Sequence, residues 1–147
     1  EMVRERRRPY LGEGIFRYYA SVEDFERKKQ VCRRALQLAE GFDNPDLARE
    51  TQVVLTYVEL ARCIYQVAEQ AAVDDLTDVE SQEALRQSVG QLERAGEQNA
   101  AAIGAWRSGL GPEPWHYRVH DAVHGTEHTV AEIARIVHER DTLKIED

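Results

Sequence analysis

The chain has 147 residues, enough for one domain with a full hydrophobic core. Its 42% hydrophobic and 31% charged residues are ordinary for a globular protein in water. A net charge of -8 argues against nucleic-acid or membrane-surface binding driven by bulk electrostatics. No window approaches the ~18 apolar residues that a membrane span requires, so the expected setting is the cytoplasm.

Residues 1–20 read as an irregular N-terminal segment, basic and then aromatic. "RERRR" at 4–8 has the character of a solvated arm. Basic residues without an apolar run do not make a signal peptide. Glu1 ahead of Met2 fits either an added residue or a piece cut from a longer chain. Pro9, Gly12 and Gly14 break the local pattern, and Phe16, Tyr18 and Tyr19 are too aromatic to remain in water. They are expected to cover one end of the core or to dock on a partner.

Four amphipathic helices are predicted within a bundle spanning 21–140, followed by a short tail at 141–147. Ser21 caps the first, with Asp24 as a weak capping-box partner and Gly41 at its end. Phe25, Cys32, Ala35, Leu36 and Ala39 form its inner stripe. "DNPD" opens the second helix, with Asn44 as cap and Pro45 at the first helical position. Its seam is Leu47, Thr51, Val54, Val58, Ala61, Tyr65, Ala68 and Ala72, and beside it runs a second apolar row through Val53, Tyr57, Leu60, Ile64, Val67 and Ala71. A helix this broadly apolar must bury more than half its circumference, either at the centre of the bundle or against a partner.

"TDVE" starts the third helix, with Thr77 and Glu80 as its capping box. Its seam is Leu85, Val89, Leu92, Gly96, Asn99, Ile103 and Trp106. Gly96 and Asn99 imply either close helix approach with a hydrogen bond across the bundle or a small buried polar site. The fourth helix follows "SGLGPEP" and runs from about Trp115 to His138, with a seam of Val119, Val123, Thr126, Val130, Ile133 and Val137. Short connections between four such helices give an all-α, up-and-down four-helix bundle. A hairpin about 42–44 would leave Cys32 and Cys63 roughly 15 Å apart, beyond disulfide reach, so both are expected to be free thiols.

His116, His120, His124 and His128 recur at every fourth position. Each step of four advances about 40° around a helix, so the four fan from near 60° to near 180° away from the apolar seam and cannot share one ion. His120, His124 and Glu127 lie close enough to chelate a transition metal such as zinc, if Glu93 or Glu97 supplied a further donor. A pH-sensitive contact with a partner is a further use for this row.

Two local patterns resemble known families. Arg118 and His124 in "RVHDAVHG" resemble the Arg-x(4–6)-His signature of HEPN ribonucleases, which implies metal-independent RNA cleavage in a dimer cleft. Residues six apart on a regular helix point about 120° away from each other, so that use would require a distorted helix. Glu23, Glu26, Glu40 and Asp43 are similar in spacing to the acidic pairs of MazG-like pyrophosphohydrolases. No turn signal separates 26 from 40, so one helix would hold the pairs about 20 Å apart.

"NPDLARETQVVLTYVELARC" and "GPEPWHYRVHDAVHGTEHT" resemble the helical region that follows the catalytic barrel in some large glycoside hydrolases. The likeness spans about residues 15–137 without a diagnostic motif. It implies helices packed on a barrel and carries no catalytic residue.

No nucleophile–base pair, phosphate loop or convergent carboxylate pair is present. The expectation is a non-catalytic assembly or accessory module without a cofactor, binding a protein partner or a second copy of itself. Its contact surface is expected to be Val53, Tyr57, Leu60 and Ile64 with Phe16, Tyr18 and Tyr19.

Overall fold

A computed structural model of the chain describes residues 21–72, 78–109 and 128–139, which form four helices and no strand. We number them α1 (Val22–Gly41), α2 (Pro45–Ala71), α3 (Val79–Ser108) and α4 (128–139). The fold is all-α.

Cap chemistry accounts for most of the helix ends. Ser21 stands in extended conformation before α1, though its side chain makes no cap hydrogen bond. After Gly41 the chain reverses through Asp43, whose φ of 51° is the left-handed value that Asp tolerates better than most side chains. Asn44 N–H then donates to the Ala39 carbonyl at 2.9 Å. The left-handed residue is therefore Asp43 and not a glycine.

The Asn44 side-chain oxygen accepts from Leu47 N–H at 3.1 Å, and Pro45 occupies the first turn of α2, where no amide is needed. At α3 the cap lies one residue beyond the expected Thr77. Asp78 accepts from both the backbone N–H and the hydroxyl of Ser81, each at 3.0 Å. A carboxylate at this position also meets the positive end of the helix dipole.

Each described helix runs antiparallel to its predecessor. Phe25 near the start of α1 stacks against Tyr65 near the end of α2, with ring centroids 5.5 Å apart. Asn99 of α3 reaches Thr56 of α2, and Gly96 of α3 lies against Val130 of α4.

α2 is the central helix and packs against both α1 and α3. Val58, Leu60, Ala61, Cys63, Ile64 and Val67 are all buried, and they join Phe25, Val89, Leu92 and Ala134 in one core. Burying each of the larger aliphatic side chains contributes roughly 1.5–3 kcal/mol. Leu60 and Ile64 are only 1% and 8% exposed, and Val53 and Tyr57 are half-buried. With a neighbour on either side of α2, Leu60 and Ile64 belong to the core, while Val53 and Tyr57 stay half-buried at its edge.

α1 meets a narrower surface. Its buried residues are Phe25, Cys32 and Ala39, one every seventh position, which is a single seam against α2. Ala35, expected inside, is exposed, and Leu36 is half-buried. In α3 the expected seam from Leu85 to Trp106 is buried throughout except at Gly96, which is half-buried. Val130, Ala134 and Val137 are buried in α4. Both cysteines are free and buried.

Candidate functional site

Few of the sequence-nominated chemical groups fall within the described residues. His116, His120, His124, Glu127 and Arg118 lie outside them, as do Phe16, Tyr18 and Tyr19. His128 is exposed at the start of α4. Among the described residues, no group of three or more His, Cys, Asp or Glu is placed to hold a metal ion. Glu23 and Glu26 sit at the opposite end of the unbroken helix α1 from Glu40 and Asp43, so the four carboxylates do not converge.

Glu93 and Glu97 rim an open groove of about 470 Å³ between α3 and α4. Its floor is Gly96, Ala100, Val130, Ala131 and Ala134. The His138 ring nitrogen stands 3.9 Å from a Glu93 oxygen, within ion-pair range when the ring is protonated. The groove follows from small residues on both helices and gathers no catalytic set.

The α1–α2 hairpin has two unlike faces. One carries a charge network. Lys29 Nζ contacts Glu59 at 2.5 Å and Glu26 at 3.1 Å, and Arg62 donates to Glu59 at 2.7 Å and to Gln66 at 2.8 Å. Burial alone would push the Glu59 carboxyl up, but hydrogen bonds from Arg62 and Lys29 outweigh it and hold the group below its ordinary value of 4.5. Burial also pushes the neighbouring Cys63 thiol up, so this cysteine is not an activated nucleophile.

Glu59→Ala is expected to cost about 1–2 kcal/mol, between the values for an exposed and a buried pair. Because folding depresses the Glu59 pKa, its contribution is complete above about pH 4.5 and fades as pH falls through the folded value. Urea titrations at neutral and acid pH should therefore converge for parent and variant as the pH drops.

The opposite face is apolar, and no described element packs on it. On α1, Val31, Ala35, Leu38 and Phe42 follow steps of four, three and four, the spacing of one helical stripe. They lie roughly 60–120° around the helix from Cys32, on the side away from Lys29. Val31 is 69% and Phe42 80% exposed, and Leu38 is also exposed. Leu47 and Val54 of α2 are exposed as well.

The edge of this surface is strongly basic on α1. Residues 27–34 contain Arg27, Lys28, Lys29, Arg33 and Arg34 and no acid. Arg27 and Arg34 fall on the border of the stripe away from α2, roughly 140–160° from the Cys32 line, and both are exposed. Arg27 is hydrogen-bonded to Asp24. At the α2 end stand Glu50 and Asp46, the latter paired with Arg49 at 2.5 Å.

Sequence reading passed over this stripe because α2 carries the stronger apolar signal. The clue was available in "VCRRALQLAEGF", where Cys32, Leu36 and Ala39 serve one seam and Val31, Ala35, Leu38 and Phe42 serve another. Comparison with family models, with curated proteins and with solved structures finds no match for this chain.

Proposed function

We propose that this protein is a non-catalytic helical module that works by packing against another protein surface. The observation that carries this reading is the apolar face of the α1–α2 hairpin that no described element covers, centred on Val31, Leu38 and Phe42. Exposed apolar side chains repeated along one helix face mark a contact surface more often than scattered ones do. The face replaces the row through Val53, Tyr57, Leu60 and Ile64 as the contact surface. The likeness of the chain to helices that pack on a glycoside hydrolase barrel is compatible with such a module, and the partner could then be a catalytic domain.

Sedimentation velocity on the full chain tests the reading. Association, with itself or with an added helical peptide, is expected to disappear in the Val31→Ser, Phe42→Ser double variant. Thermal stability should change by no more than about 0.5 kcal/mol, because both side chains are exposed. A protein that stays monomeric and indifferent to helical peptides at all concentrations would remove the proposal. Stoichiometric metal lost on His120→Ala with His124→Ala, or RNA cleavage lost on Arg118→Ala, would replace it with a metal protein or a ribonuclease.

A further inference from the structure

Resting on the packing role proposed above, we infer that the occupant of the α1 stripe is an amphipathic helix with acidic flanks, contributed by a different protein segment. The stripe is about one side chain wide and twelve residues long from Val31 to Phe42, the footprint of a helix laid along a helix. Its apolar positions at 31, 35, 38 and 42 match the a/d rhythm that a partner helix would meet with its own a and d residues.

Charge decides which helix fits. Arg27 and Arg34 border the stripe on its outer edge, and Lys28 lies on the inner edge of the same turn as Arg27. Side chains flanking a helical seam meet the flanks of the partner, so glutamates or aspartates there would pair with Arg34 and compete with Asp24 for Arg27. A parallel α1–α1 pair would oppose Arg27 and Arg34 with like charge, and the self-association arm of the test below separates an antiparallel pair from an acidic partner helix. The local excess of cations also runs against the charge of the whole molecule, which places it on α1 as a steering feature for an acidic partner.

The test uses the full chain and synthetic peptides of about three heptads with leucine at a and d. One carries glutamate at e and g, a second carries lysine there, and a third is a scramble of the first. In fluorescence anisotropy the glutamate peptide is expected to bind at least about tenfold more tightly than the others, with affinity falling as salt rises. Arg27→Glu with Arg34→Glu should reverse the preference toward the lysine peptide, and Val31→Ser with Phe42→Ser should abolish both. Unchanged circular dichroism in each variant excludes misfolding as the cause.

Binding of neither peptide, together with self-association lost in the Val31→Ser, Phe42→Ser variant, would overturn the acidic-helix proposal and leave the packing role intact. Preference for phosphatidylserine vesicles over the glutamate peptide would overturn it in favour of a membrane surface. Indifference of every assay to Val31 and Phe42 would remove both.

Discussion

Asn99→Asp is expected to lower stability by about 3 kcal/mol at neutral pH, with much of the loss recovered on acidification. Asn99 is 3% exposed and donates its amide to the Thr56 hydroxyl at 2.9 Å and to the Val53 carbonyl at 3.3 Å. A carboxylate in its place would face the carbonyl oxygen of Val53 with no donor other than the Thr56 hydroxyl. That hydroxyl already serves the carbonyls of Gln52 and Val53 at 3.0 and 3.1 Å. Enclosure raises the folded-state pKa of the new carboxyl above its unfolded value near 3.9, so the penalty is absent below that pH and grows as pH rises.

Chemical denaturation at pH 7 and at pH 4 measures the effect. Asn99→Leu supplies the control, since it deletes the cross-helix bond without adding charge and should cost about 1 kcal/mol at both pH values. Equal losses for the aspartate variant at the two pH values would show that the site is open to water.

The second large effect is at the contact between α3 and α4. A Cβ at Gly96 would lie 3.3 Å from a methyl of Val130, tighter than a relaxed carbon–carbon contact. Gly96→Leu forces the helices apart and should cost about 2–3 kcal/mol. Amide exchange should rise selectively within 128–139, because that helix would undock first. Adding Val130→Ala should restore part of the loss by clearing the methyls. Gly96→Ala tests the opposite balance, since the gain of about 1 kcal/mol in helix propensity offsets the crowding. A Gly96→Leu variant with parental stability and unchanged exchange in α4 would show that the close approach is not required.

How much of this was legible beforehand depended on how local each determinant is. Asn44 and Pro45 announce the start of α2 because a side chain and its near neighbours suffice to make an N-cap. The α3 seam was readable for a related reason. Its apolar residues fall on one arc, so Gly96 and Asn99 stood out as the positions of close approach and of a cross-helix bond. The start of α3 was misplaced by one residue because Thr77 and Asp78 are both good caps, and local chemistry alone ranks them poorly.

The candidate site was less legible. The outward role expected for Leu60 and Ile64 and the inward role expected for Ala35 are both corrected by the same fact, which is the number of neighbours each helix has. Among the described helices, α2 lies between α1 and α3 and buries two apolar rows, whereas α1 has one main neighbour and buries one. A single chain's periodicity reports how much apolar surface a helix offers, and it does not report how many partners are available to cover it.

The residues by themselves determined the all-α class, the segments that form α1, α2 and α3, the free thiols and the packing seam of α3, since each follows from side-chain spacing and local backbone chemistry. Only the tertiary arrangement decided that α2 is the centre and that Lys29 and Arg62 flank Glu59. It alone turned Val31, Leu38 and Phe42 outward with Leu47 and Val54. Those outcomes depend on which helix covers which face, a choice made by packing among elements distant in sequence.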